Sequence, residues 1–272
     1  MKIGIFDSGV GGLGVFGRLY NHSQVYGVAV ELLYLGDTLR APYGEKSVDE
    51  VAHYVRLGLE LLQNMGVQAI ALACNTAFVA LVHGNDPLIE NPRIVTPVSF
   101  AVDEVAALSP GRVAVLSTRI TAESRLYTRA IQELSPDTQV VEYACPGLVR
   151  LIEKGEVTGE AIREEVMASI AGLEQNKIDA IVLGCTHFSL ISRTIEEVVG
   201  PSVRIVDGVV GMINRIFSQI PRSDRAPATM RNRMFVTGDP AGFGLIAHRL
   251  FGVDADSIEQ VVLDVPLKVA EC

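Results

Sequence analysis

Two segments of this 272-residue chain end an apolar run in a cysteine followed by small polar side chains. They are Ala69-Ile70-Ala71-Leu72-Ala73-Cys74-Asn75-Thr76 and Ala180-Ile181-Val182-Leu183-Gly184-Cys185-Thr186-His187. Each apolar run reads as a buried strand, with the cysteine at its C-terminal end and a helical pattern after it. A helix N-terminus favours the thiolate and can lower a thiol's ordinary pKa of about 8.5. A lone buried cysteine is most often a small core residue. Two in matched settings, each followed by hydroxyl or amide groups, point instead to reactive thiols. Other chemistries draw on the same side chains. Cys185 and His187 could both face zinc, but no C-x-x-C pair or second His/Cys cluster accompanies them. A Cys–His hydrolase would activate one thiol and leave the other unused. Cys145, before Pro146, and Cys272 lack the strand-end setting and read as structural or incidental.

The glycine-rich start, Gly9-Val10-Gly11-Gly12-Leu13-Gly14, fits G-x-G-x-x-G between a strand and a helix, and Asp37 ends the second strand. That is the context of a dinucleotide site and of a cofactor-dependent oxidoreductase. Against it, Asp7 and Ser8 stand between strand and glycines and put a carboxylate where a pyrophosphate would dock. The loop's N–H groups suit a substrate carboxylate equally well. Asp7, Asp37, Glu153 and His187 are candidate acid/base auxiliaries, although each alone is more often a cap, a turn residue or an ion-pair partner. Pro42-Tyr43-Gly44 reads as a turn with an exposed phenol. Thr118 and Thr121 flank a strand-to-helix junction, where capping is threonine's ordinary role.

The elements needed to position these groups are legible as a βα alternation. Strands are expected at 2–6, 31–36, 69–73, 113–116, 139–143, 179–183, 203–206 and 233–237. Helices are expected near 12–20, 47–65, 77–83, 99–108, 122–135, 158–175, 188–199, 209–219 and 240–251. Alternation of this kind predicts an α/β fold with parallel sheets covered on both faces and ligands at strand C-terminal ends. Pro97, Ser109-Pro110-Gly111 and Asp207-Gly208 mark seams. The echo between the two cysteine segments predicts two similar halves whose strand ends meet at one cleft. With 49% hydrophobic residues the chain can bury a substantial core without disulfides. A net charge of −9 argues against nucleic-acid binding. The apolar segments are too short to span a membrane, and Asp7 stands where a signal peptide would be apolar. We therefore expect a cytoplasmic protein with reduced cysteines.

Taken together, several stretches resemble glutamate racemases of the aspartate/glutamate racemase superfamily. They are Phe6-Asp7-Ser8-Gly9-Val10-Gly11-Gly12, Gly36-Asp37-Thr38 with Pro42-Tyr43-Gly44, Ala73-Cys74-Asn75-Thr76-Ala77 and Thr118-Arg119-Ile120-Thr121. Cys145-Pro146 with Glu153, Gly184-Cys185-Thr186-His187 and Thr237-Gly238-Asp239-Pro240 complete the set, in the family's order and over nearly the full length. The resemblance implies two pseudo-symmetric α/β domains, 1–97 plus 209–272 and 98–208, with the active site between them. It implies Cys74 and Cys185 as paired bases, Asp7 serving the first and His187 the second, with Asp37 and Glu153 in supporting acid/base roles. Ser8, Tyr43, Gly44, Asn75, Thr76, Thr118, Thr121 and Thr186 match substrate-binding positions. It further implies glutamate as substrate, no cofactor and no metal, a product supplying peptidoglycan, and a chain able to form a homodimer. Aspartate or hydantoin racemisation is the nearest competing activity. Three positions depart from the family pattern: Phe78 after the Cys-Asn-Thr-Ala run, Phe188-Ser189 after the second motif, and Gly208 after Asp207.

Paired thiols suit that reaction. Inverting Cα requires a proton to leave one face and another to arrive at the opposite face, so two acid/base groups must flank the carbon. One starts as thiolate and the other as thiol. The Cα–H is a very weak acid, so the base must be desolvated and the developing carbanion stabilised by donors to the carboxylate. No lysine near either motif suggests a Schiff base.

Overall fold

The computed structural model describes residues 1–173, 177–220, 232–251 and 258–263; Cys272 lies outside them. All eight expected strands form, each within one residue of its expected ends. They are β1 (Lys2–Asp7), β2 (Glu31–Gly36), β3 (Ala69–Leu72), β5 (Arg112–Ser117), β6 (Gln139–Ala144), β7 (Ala180–Gly184), β8 (Arg204–Val206) and β9 (Arg233–Val236). Two short strands, β4 (Ile94–Val95) and β10 (Ile258–Gln260), were not expected. They build a six-stranded sheet, β10-β9-β2-β1-β3-β4, and a four-stranded sheet, β6-β5-β7-β8. Every pairing is parallel. The run β2-β1-β3-β4 has the same order as β6-β5-β7-β8, so β3 and β7, the strands that end at the two cysteines, hold equivalent places.

Parallel strands must be covered on both faces, which is why β3 and β7 are buried at every residue and read as continuous apolar runs. The covering helices are α1 (Leu13–Tyr26), α2 (Val48–Asn64), α3 (Asn75–His83), α4 (Pro97–Leu108), α5 (Arg119–Ser124), α6 (Leu126–Leu134), α7 (Pro146–Glu153), α8 (Glu160–Ile170), α9 (Ser192–Val199), α10 (Val209–Ser218) and α11 (Pro240–Phe251). Their starts follow local chemistry. Ser47 accepts a hydrogen bond from the Glu50 N–H to begin α2, and Thr96 caps α4 with Pro97 in its first turn.

Four helical expectations needed revision, the first being the one near 12–20, which runs as α1 on to Tyr26. The segment expected as one helix over 122–135 is two, α5 and α6, because Arg125 takes a left-handed conformation (φ 55°) between them. The pattern at 188–199 divides into a 3-10 turn, Thr186–Ile191, and then α9. The expected 158–175 helix ends at Ile170, and residues 174–176 lie outside the described set. Helix α7, which carries Glu153 at its end, was not foreseen; it opens on Pro146, a residue tolerated in a first helical turn.

The departures at Phe188, Phe78 and Gly208 have packing roles. Phe188 is fully buried in the largest apolar cluster, which draws on both sheets, and Phe78 packs against the other two clusters. A Cβ on Gly208 would collide with the Pro97 carbonyl, so α10 can lie this close to the start of α4 only with glycine there. Among the described residues, no helix is long and apolar enough to cross a membrane.

Candidate active site

The C-terminal ends of β1 and β3 in one sheet and of β5 and β7 in the other converge on one cavity. Of the fourteen residues expected at the site, ten line it: Ser8, Tyr43, Gly44, Cys74, Asn75, Thr76, Thr118, Cys185, Thr186 and His187. Asp7, Glu153, Asp37 and Thr121 stand behind that lining, each touching a member of it. Pro42 and Val149 complete the wall. A wider depression shares Pro42, Gly44, Thr118 and Val149 and leads outward past Arg119 and a Glu45–Arg150 ion pair (3.2 Å). Glu45 follows β2 and Arg150 lies on α7, so groups from both sheets line this depression.

The two thiols have different neighbours. Cys74 sits at the N-cap of α3, with its Sγ 3.7 Å from the Ser8 hydroxyl. Burial, then the Asp7 carboxylate, pushes its thiol up to about 12, and the Ala77 N–H and Ser8 offset this only in part. The expectation that the helix start lowers this pKa is therefore corrected: desolvation outweighs the helix end here. Cys185 lies 3.5 Å from His187 Nδ1, and the opposite ring nitrogen, Nε2, meets Glu153 Oε1 at 2.5 Å. Burial works against a charged imidazole, but Cys185 and Glu153 outweigh it and raise the His187 pKa well above its ordinary value. Glu153 answers in kind: burial raises its carboxyl, yet His187 and the Val10 N–H hold it below the usual range. The surroundings of Cys185 thus favour a charged imidazole, and those of Cys74 favour a neutral thiol.

Asp7 ties the halves together. Its Oδ1 accepts from the Gly9 N–H (2.9 Å) and its Oδ2 from the Thr186 hydroxyl (3.1 Å). Burial raises its carboxyl pKa, against the pull of His187 and the Gly9 N–H. Asp37 is fully enclosed: Tyr43 OH donates to it at 2.7 Å, Thr237 at 2.6 Å and Arg40 at 2.8 Å. Tyr43 is consequently buried rather than the exposed phenol expected of its turn. Thr76, from the first sheet's side, meets Thr118 at 2.8 Å and Thr121 at 3.5 Å from the second.

The glycine loop has a use that spacing alone could not reveal. A Cβ on Gly9 would collide with the Glu153 carboxylate, and one on Gly11 would lie 2.6 Å from Thr186 Oγ1 and 2.7 Å from His187 Nδ1. The glycines admit Glu153, Thr186 and His187, side chains from the second sheet's half, close against the loop backbone. Three buried groups escaped sequence reasoning. Tyr34 OH donates to the Gly9 carbonyl at 2.5 Å, Tyr127 OH donates to Asn75 Oδ1 at 2.8 Å, and Val149 comes from the unforeseen α7. The one available signal was a tyrosine inside an apolar pattern, since a buried phenol needs a partner. Cys145 is buried outside the cavity wall, with its thiol pushed up to about 12, chiefly by that burial. Among the described residues, no group of three His, Cys, Asp or Glu is arranged to hold a metal ion.

Two α/β sheets facing each other across paired strand-end cysteines define a class of enzyme, and residues 26–215 match the Asp/Glu/Hydantoin racemase family. The chain belongs to that family. Within it, the chain is 35% identical over 250 residues to a glutamate racemase of Gloeobacter violaceus, covering 91% of each sequence. The glutamate racemase isoform RacE1 of Bacillus anthracis superposes with a TM-score of 0.84 at 28% identity, over 97% of this chain and 98% of that one. The glutamate racemase of Francisella tularensis, solved in complex with D-glutamate, gives 0.83 at 26% identity over the same shares.

Proposed function

We propose that this chain is a glutamate racemase that interconverts L- and D-glutamate by moving protons between Cys74 and Cys185. The observation that carries this reading is the placement of two free thiols, from equivalent strand ends of two sheets, in the wall of one cavity. In the proposed cycle Cys74 begins as the thiol, its pKa pushed up to about 12 by burial and Asp7, and Cys185, 3.5 Å from His187 Nδ1, begins as the base. For one enantiomer the Cys185 thiolate takes the Cα proton and the Cys74 S–H delivers its own to the opposite face. This leaves Cys185 protonated and Cys74 as thiolate, which is the starting state for the other enantiomer. Asp7 assists proton transfer at Cys74, and Glu153 holds His187 in register. Asp37 supports the chemistry by fixing Tyr43 in the wall. Asn75, Thr76, Thr118 and Thr186, backed by Thr121, with Ser8 and the Tyr43-Gly44 backbone, supply donors to the two carboxylates as charge builds. The domains are 1–97 plus 209–272 and 98–208, built around the two sheets. A cytoplasmic setting suits the reduced thiols, and D-glutamate for peptidoglycan is the purpose of the reaction.

The test is a coupled assay of both enantiomers of glutamate and of aspartate, after exhaustive chelation and with no added pyridoxal phosphate. The proposal expects glutamate to turn over in both directions, faster than aspartate. Faster turnover of aspartate would reassign the substrate.

A further inference from the structure

Tyr127 lies outside the cavity wall, on α6, yet it is 1% exposed and its hydroxyl is committed to one acceptor, Asn75 Oδ1, at 2.8 Å. Asn75 is the first residue of α3 and does line the cavity. Its amide has two unlike ends: an oxygen that only accepts and an NH2 that only donates. The oxygen is occupied by Tyr127. Among the described residues, no acceptor meets Nδ2. Among the same residues, the only buried side-chain polar atom left without a partner is elsewhere, at Glu142 Oε2.

We infer that Tyr127 is a positioning residue, locking the Asn75 amide with its NH2 end toward the substrate so that a carboxylate of glutamate meets a donor and never the amide oxygen. The inference rests on the racemase reading above. An unrestrained asparagine rotates about χ2 at little cost, and the flipped form would set its oxygen against an anion. Tyr127 prevents the flip because a buried phenol needs a partner for its O–H. Burial, aided by Asp207, Glu142 and Cys185, raises the Tyr127 pKa, so the hydroxyl keeps its proton and remains a donor across the working pH range. The bond also crosses between the sheets. Tyr127 stands beyond β5 in the second, and Asn75 follows β3 in the first, so the amide is aligned only when the two halves are in register.

The test is a cycle of four proteins: parent, Tyr127→Phe, Asn75→Ala and the double variant, with kcat, KM and melting temperature measured for both enantiomers of glutamate. Tyr127→Phe keeps the ring and removes one oxygen. It is expected to lower kcat/KM about five- to tenfold, mostly through KM, the size of one ordinary neutral hydrogen bond. In the Asn75→Ala background the same change should move kcat/KM less than about twofold while still altering the melting temperature, because its target is gone. An equal loss in both backgrounds would make Tyr127 a structural residue and overturn the inference, as would an indifferent Tyr127→Phe in the parent. A parent that racemises no glutamate would sink the functional reading itself. If Tyr127→Phe does not fold, the parent still decides the matter through the Asn75 side-chain NH2 signals in a 1H–15N spectrum. These should shift on saturation with D-glutamate, and unmoved signals would overturn the proposal.

Discussion

The two halves of the site share a strand order and a cysteine position but differ in what surrounds the sulfur. Beside Cys74 are a serine hydroxyl and a buried carboxyl that disfavours a second negative charge. Beside Cys185 is an imidazole held by a partly buried carboxylate 2.5 Å away. A thiol pushed up to about 12 marks the first half, and an imidazole raised well above its ordinary pKa marks the second. In the proposed mechanism, duplicated topology supplies geometric opposition, as two faces of one carbon require, and the divergent side chains give the two sulfurs unlike surroundings.

Removing either sulfur breaks the comparison outright. Cys74→Ala and Cys185→Ala should each lower racemisation at least about 10³-fold, the scale of a lost acid/base group. Circular dichroism should show an intact fold, since a thiol at a strand end contributes little packing. Retained turnover in either variant would end the two-base account.

Asp7→Asn tests the Cys74 half. Burial holds the Asp7 carboxyl above its ordinary pKa, which means that its ionised form costs the folded state free energy at neutral pH. The neutral amide removes that penalty, so the variant should melt no lower than the parent while kcat falls about 10²-fold and KM changes little. A parallel fall in melting temperature and activity, with normal kinetics in the remaining folded protein, would make Asp7 a turn residue.

Glu153→Gln tests the Cys185 half, and the sign follows from the ion pair. Glu153 raises the His187 pKa, so without its charge the imidazolium loses its proton at lower pH. The alkaline limb of the kcat/KM profile should move to lower pH, with a larger effect on the enantiomer whose proton Cys185 removes. A uniform loss with an unmoved profile would separate Glu153 from the histidine.

The smallest effect is expected at the loop that lets the halves meet. Gly11→Ala places a methyl against Thr186 and His187 and should destabilise the fold by about 1–3 kcal/mol, as overpacking does, seen as a lower melting temperature. Its kinetic defect should be worse for the enantiomer served by Cys185. A variant that melts and turns over like the parent would show that the loop does not need the glycine.

What could be read in advance follows from the range of each interaction. The strands and both cysteine settings were legible because burial on two faces writes itself as a local apolar run. The hydroxyl and amide groups beside each thiol came with it. The glycine loop was misleading at the level of spacing, since its constraint is a carboxylate 143 residues away, from the Val10 N–H to Glu153 Oε1. The helix that carries Glu153 begins at a proline and spans only eight residues, too few for a clear period. The break at Arg125 depends on one backbone angle, and β4 and β10 are two and three residues long. Tyr127 lies 52 residues from Asn75, and nothing in either neighbourhood announces the other.

Isotope transfer tests the central claim most directly. Starting from one pure enantiomer in deuterated water, early product should carry deuterium at Cα while recovered substrate remains largely protiated, because one sulfur removes the proton and the opposite one delivers a solvent-derived deuteron. The single Cys→Ser variants should fail asymmetrically in the same solvent, each losing abstraction from a different enantiomer. Early product that keeps its original hydrogen would instead mean one base serving both faces and would contradict the pairing of Cys74 with Cys185.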